Sequence, residues 1–217
     1  ASLREGVSLL EDGVAGSLSQ DQREIAQILK HNTSLLQRQI EDLLRFNTAA
    51  FEARQLRRAP TDLISLVQAQ IEAQQLQWRA MGLTVNVTGA SSVVLLDTEK
   101  IGTAVANLLS NAIRYSPPNA TITIALRTDP GWVRVDIQDQ GPGVATADLD
   151  RIFEPFYKGE RQPLHTQGPD ARLQQGSGIG LSIVHEYVAA HGGRIAYVAP
   201  LAEQPGAHFR LELPHAP

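Results

Sequence analysis

Residues 1–55 hold no proline and no alternating apolar run, yet apolar side chains return there at helical intervals. Leu3, Val7, Leu10 and Val14 step by four, three and four. After VAGSLS, Ile25, Leu29, Leu36, Ile40 and Leu43 step by four, seven, four and three. This spacing places one apolar stripe on each of two helices joined by a short turn. Ser19 stands where a side-chain cap for the second helix is needed. Two helices cannot bury so wide a stripe between themselves. The stripe is expected either to meet a partner hairpin in a four-helix dimer or to pack on the rest of the chain.

From about residue 60 the pattern changes. Pro60, Thr61 and Asp62 suggest the start of a helix through roughly Arg79. Apolar and polar residues then alternate in LTVNV (83–87), TITIAL (121–126), VRVDIQ (133–138) and HFRLEL (208–213), as in half-buried strands. VVLL (93–96) is a shorter, wholly apolar strand candidate. Helical patterns occupy about 98–115 and 179–191. Mostly antiparallel strands with segregated helices predict an α+β chain: the helical hairpin, 1–55, followed by an α/β sandwich, 56–217. Residues 157–177 show no periodicity and are rich in Gly, Gln and Pro, as a functional lid or a structureless segment would be.

Composition narrows the function. Net charge is −4 and no long basic run occurs, which argues against nucleic acid as a partner. The absence of cysteine excludes disulfides and thiolate metal sites and fits a reducing compartment. No apolar run approaches the ~20 residues of a membrane helix.

Four stretches carry chemistry. In GSGIGL, Gly176, Gly178 and Gly180 let backbone approach a ligand and offer N–H groups to an anion at a helix start; a tight turn is the alternative. The spacing fits neither the dinucleotide fingerprint nor a P-loop. A helix terminus contributes only about 0.3–1 kcal/mol to an anion, whereas micromolar binding needs about 8 kcal/mol, so other groups must contribute. In DQGPG, Asp139 follows a strand, with Gly141 and Gly143 leaving space beside it. A buried carboxylate only accepts hydrogen bonds, which suits the exocyclic amine of adenine; an ordinary Asp-Gly turn is the alternative. In NLLSNAIRYSP, Asn107 and Asn111 share one helix face. Their amides suit Mg²⁺, Arg114 is within reach of phosphate, and Tyr115 offers a ring to a purine; a solvated polar face would need neither. In FEPFYKG, Phe153 and Phe156 are positioned to anchor a hinge and Lys158 to reach phosphates, unless the aromatic pair serves core packing alone.

In this order the four stretches resemble the N box, first glycine box, F box and second glycine box of bacterial sensor histidine kinases. The resemblance covers nearly the whole chain, because the hairpin is similar to the dimerisation and phosphotransfer region of that family. LREGVSLLEDGVAGSL is most similar to the GlrK/QseE type. The resemblance implies a Bergerat-type ATP-binding domain that binds Mg-ATP, with ATP and Mg²⁺ as cofactors. It implies Asn111 as the Mg²⁺ ligand, with Asn107 beside it near the phosphates and Asp139 reading adenine. It further implies that Gly176, Gly178 and Gly180 wrap the phosphates and that Arg114 and Lys158 supply charge where the family usually has Lys and often has Arg. Tyr115, Gly141, Gly143, Phe156 and Leu181 complete the implied nucleotide contacts. HTQGPDARLQ makes the expected lid longer than is usual for the family.

The resemblance also implies a homodimer through the hairpin, a response-regulator receiver domain as partner, and a cytoplasmic location, with membrane contact only through parts outside this chain. One feature departs from the family. Its phosphoacceptor histidine, followed by an acidic residue and a step to proline, is missing. Of the six histidines only His31 lies in the hairpin, and Asn-Thr-Ser follows it. ASLREG matches the family helix just after that step, so the chain is expected to begin downstream of the phosphoacceptor and to bind Mg-ATP without phosphorylating itself. Two alternatives remain open: another ATPase of the Bergerat fold, of the mismatch-repair, topoisomerase or chaperone kind, and a nucleotide-binding scaffold without catalysis. The ATPases place a Glu in the N-box helix to activate water, and the expected positions here hold Asn107 and Ser110 instead.

Overall fold

The computed structural model describes residues 2–14, 16–163, 176–199 and 206–215. The chain divides into two compact units, Ala1–Arg45 and Phe46–Pro217.

The first unit holds helix α1 (Ser2–Glu11) and most of helix α2 (Gln20–Glu52). α1 stops at Gly13, whose φ of 74° is cheap only for glycine, while Val14 N–H bonds back to the Leu9 carbonyl at 3.1 Å. α2 begins with a reciprocal cap. The Ser19 hydroxyl accepts from Gln22 N–H at 3.2 Å, and the Gln22 side chain accepts from Ser19 N–H at 2.9 Å. The apolar stripe anticipated from the spacing is largely exposed: Ile25 57%, Leu29 47%, Leu36 52%, Ile40 51% and Leu43 48%.

The second unit is a two-layer sandwich. Strands β2 (Thr84–Thr88), β4 (Thr121–Asp129), β5 (Trp132–Gln138), β7 (His208–Pro214) and β6 (Arg194–Tyr197) form a five-stranded sheet in that order. β2 and β4 run parallel and the remaining pairs antiparallel. The alternation turns Ile122, Ile124 and Leu126, Val133, Val135 and Ile137, and Phe209, Leu211 and Leu213 into one core. Against it pack helix α3 (Leu63–Ala73), helix α5 (Thr98–Tyr115) and helix α6 (Gly180–Ala190).

On β5 and β7 the intervening residues are charged and opposed in register. Arg134 faces Glu212, and Asp136 faces Arg210. Arg134 Nε reaches Glu212 Oε1 at 2.7 Å, Arg210 Nε and His208 Nε2 each reach Asp136 Oδ1 at 2.7 Å, and Arg194 also pairs with Glu212. Opposite charges across the strands give the sheet a second, ionic face.

Two expectations fail near the N-terminal edge of this unit. Pro60–Asp62 do not begin a helix. They lie in strand β1 (Ala59–Asp62), paired antiparallel with β3 (Val93–Leu96), and α3 starts at Leu63. The apolar VVLL segment needs a backbone partner, and that long-range demand overrides the local helix-start signal. The helical stretch also breaks at Gln74, so Gln75–Ala80 form a separate short helix, α4. The edge strand β6 carries too short a signal to have been anticipated.

Candidate nucleotide site

α5 sets the site. Asp97 caps it by accepting from Lys100 N–H at 3.1 Å, and Ile101, Ala104, Val105, Leu108, Leu109 and Ala112 are buried. Asn107, Asn111, Arg114 and Tyr115 therefore follow one another along its half-buried side. The helix ends where Ser116 turns its hydroxyl to the Ala112 carbonyl at 2.7 Å, before Pro117 and Pro118, which cannot continue it.

Asp139 directly follows β5 and is 4% exposed. Its N–H donates to the Ala207 carbonyl at 2.9 Å, which extends the β5–β7 ladder by one residue. Its Oδ1 accepts from Gly141 N–H at 2.8 Å and Ala207 N–H at 3.0 Å. Among the described residues, Oδ2 has no hydrogen-bond partner. Burial pushes the Asp139 carboxyl above its usual range, and the two backbone donors only partly offset this. A β-carbon on Gly141 would stand 3.0 Å from Asp139 Oδ1 and strike the Tyr115 carbonyl. The glycine is required because the end of α5 comes against this loop. Burial likewise raises the Tyr115 phenol; the charge of Arg114 opposes this and that of Asp139 adds to it.

The second glycine run closes on the same helix. Gly176 lies so close to the Arg114 guanidinium that a β-carbon there would overlap it. A β-carbon on Gly180, the first residue of α6, would lie 3.5 Å from Asn107 Oδ1. Gly178 has φ of 79°, and its carbonyl accepts from Phe156 N–H at 3.0 Å. Gly143 has φ of 71°, and a β-carbon there would stand 3.4 Å from Arg161.

The tertiary structure thus brings Asn107, Arg114, Tyr115, Asp139, Gly141, Gly176 and Gly180 around one helix, with Phe156 bonded to Gly178. Asn111 shares the helix face, Lys158 is exposed, and Leu181 packs on the main core. Most of the anticipated lid, residues 164–175, lies outside the described residues. Ala207, which holds Asp139 by two hydrogen bonds, and Gly206, where a β-carbon would strike the Asp139 carbonyl, were missed by sequence reasoning; a glycine two residues before the strand HFRLEL was the only cue.

The family profile of histidine kinase-, DNA gyrase B-, and HSP90-like ATPases matches residues 96–217, from the end of β3 through β7. The chain belongs to that family. Within it the chain is similar to sensor histidine kinases: 30% identical over 218 residues to sensor histidine kinase GlrK of Escherichia coli strain K12, covering 99% of this chain and 43% of that protein. It is 34% identical over 159 residues to the histidine-protein kinase/phosphatase MprB of Mycobacterium sp. strain KMS, covering 72% of this chain and 29% of the relative. The chain spans less than half the length of these relatives.

Among solved structures, it resembles the mycobacterial sensor histidine kinase MprB with 31% identity and a TM-score of 0.60, over 74% of this chain and 99% of that one. It resembles full-length ShkA in complex with AMPPNP with 27% identity and a TM-score of 0.69, over 99% of this chain and 42% of that one. The expected Bergerat fold and the histidine-kinase assignment are thereby supported. The rival without kinase ancestry loses ground because the sensor-kinase likeness extends through α1 and α2.

Proposed function

We propose that this chain is the Mg-ATP-binding core of a sensor histidine kinase. The carrying observation is Asp139: a buried carboxylate with one oxygen held by two backbone N–H groups and the other without a partner among the described residues. An adenine amine is the donor that such an oxygen suits. In this reading the phosphates lie toward Gly176, Gly178 and Gly180, with Arg114 and Lys158 supplying charge.

Asn111 would hold Mg²⁺ and Asn107 would stand beside it near the phosphates. The donor type fits that ion: an amide oxygen is a hard ligand, and Mg²⁺ takes few protein groups, so the metal would rest on amide oxygen, phosphate oxygens and water. The ion would neutralise phosphate charge. The protein's own part is to orient the nucleotide and keep its reacting end in place.

The whole protein, in this proposal, transfers the γ-phosphoryl group to a histidine and from there to an aspartate of a response regulator. Residues 1–55 would form the dimerisation and phosphotransfer hairpin, and residues 56–217 the catalytic domain, although the close packing already includes Phe46–Glu52 in the second unit. The exposed stripe on α2 supports a second copy as its cover. The location proposed is the cytoplasmic side of a membrane; among the described residues no helix is long and apolar enough to cross one.

Calorimetric titration with a non-hydrolysable ATP analogue, with and without Mg²⁺, tests the reading. Saturable binding strengthened by Mg²⁺ is expected. No heat and no displacement of a fluorescent nucleotide at millimolar ligand would overturn it.

A further inference from the structure

Asp148 lies outside the motifs used above, yet it is only 2% exposed, less than Asp139. It closes a turn of 3₁₀ helix, Thr146–Asp148. Its Oδ1 accepts the Tyr157 hydroxyl at 2.6 Å, and its Oδ2 accepts Glu160 N–H at 2.9 Å. Its own carbonyl accepts from Arg151 N–H and Ile152 N–H at 2.9 and 3.0 Å. A β-carbon on Gly159 would stand 2.7 Å from Oδ2, so glycine is needed for the chain to close over the carboxylate. The Arg151 guanidinium lies over the Tyr157 ring, 4.3 Å from its centre. The Tyr157 hydroxyl and the Glu160 N–H hold the carboxyl below its ordinary range, and the charges of Arg151 and Arg161 act the same way. It is therefore an ionised acceptor at neutral pH.

The segment fastened in this way touches both glycine runs. Phe156, in a left-handed conformation with φ of 65°, donates its N–H to Gly178, and the Tyr157 carbonyl stands 2.8 Å from where a Gly178 β-carbon would lie. Arg161 donates to the Pro142 carbonyl at 2.5 Å. Lys158 sits between the two residues bound by Asp148.

We propose that Asp148 is a positioning residue for the phosphate side of the nucleotide site: by fastening Tyr157 and Glu160 it fixes the backbone that carries Lys158 and braces Gly178. The inference rests on the nucleotide reading above and adds to it a residue that need not touch the ligand. It separates the two ends of the site, since Asp139 serves the base and Asp148 the phosphates.

Two ligands distinguish the ends: a non-hydrolysable ATP analogue with Mg²⁺, measured by calorimetry, and adenosine, measured by NMR titration. In Asp148→Asn the amide cannot accept at both positions. The ATP analogue is expected to bind about tenfold more weakly, while adenosine affinity stays within about twofold. Tyr157→Phe, which keeps the ring and loses one of the two bonds, should shift the same ratio less; it serves as the measurement if Asp148→Asn does not fold. Equal losses for both ligands, or an unchanged ratio in both variants, overturn the proposal. Wild-type protein that binds neither ligand overturns the nucleotide reading as well, which is a different outcome from a lost ratio.

Discussion

His191 Nε2 accepts the backbone N–H of Asp97 at 3.0 Å, and its Nδ1 lies 2.6 Å from the Tyr187 carbonyl, to which it donates. One neutral imidazole thereby ties the end of α6 to the start of α5, the helix that bears both asparagines. Asp97 is itself a junction. Burial pushes its carboxyl up, but the Arg57 N–H and Lys100 outweigh that, leaving it below the ordinary range. The His191 ring is 5% exposed and faces Arg58, Asp97 and Lys100.

Burial lowers the His191 pKa below its ordinary 6.5. The folded state thus resists a proton that the unfolded chain accepts. The stability linked to this ring is complete above about pH 6.5 and declines as pH falls from there through the lowered folded value. Urea unfolding at pH 7.5 and 5.5 should show wild type losing stability on acidification, with a smaller loss in His191→Ala. His191→Ala should also be weaker at pH 7.5 by about 1–3 kcal/mol, because the Asp97 N–H is left unpaired. An identical pH dependence in the two proteins would refute this.

Asp139→Asn separates binding from folding. The raised carboxyl means that ionisation costs stability at neutral pH: the favourable contribution is present below the unfolded value and lost as pH rises through the folded one. An amide keeps an acceptor for Gly141 and Ala207, so the melting temperature should hold or rise. Affinity for adenine nucleotides should fall ten- to about a hundredfold, the equivalent of about 1.5–3 kcal/mol for a hydrogen bond to a charged group. Calorimetry together with a thermal scan checks both halves. A variant that binds as wild type does would remove Asp139 from the site.

Gly178 and Gly176 should respond differently to alanine. At Gly178 the positive φ and the Phe156–Tyr157 backbone both oppose a β-carbon, so Gly178→Ala should cost about 2 kcal/mol or more. At Gly176 the obstacle is the Arg114 side chain, which can swing away. Gly176→Ala should change stability by less than about 0.5 kcal/mol yet weaken nucleotide binding by displacing that guanidinium. Denaturant titrations and binding isotherms of the pair provide the test.

The exposed α2 stripe predicts self-association. Analytical ultracentrifugation should find a dimer that shifts toward monomer in a Leu36→Glu, Leu43→Glu double variant, since a charge is costly in a buried helix interface. The residues are 52% and 48% exposed in the single chain, so the same variant should leave nucleotide affinity unchanged. Wild type that remains monomeric at high concentration would defeat the prediction.

Periodicity alone located α2, α5, α6 and the strands β4, β5 and β7, because each carries its apolar residues on one face and repeats that spacing along its length; α5, α6 and the strands bury that face, whereas on α2 it is largely exposed. Capping chemistry located Ser19 as well. Motif order named Asn107, Asp139 and the three glycines before any contact was visible. Sequence could not place β1, since Pro60 and Thr61 become a strand only when Val93–Leu96 supplies the partner. Nor could it show that Arg114 meets Gly176, that Ala207 holds Asp139, or that Asp148 fastens Tyr157 and His191 joins α6 to α5. Those pairs are separated by 9 to 94 residues. Local patterns decide which face of an element is apolar; the meeting of distant polar groups is decided only once those faces have packed and water has been excluded from between them.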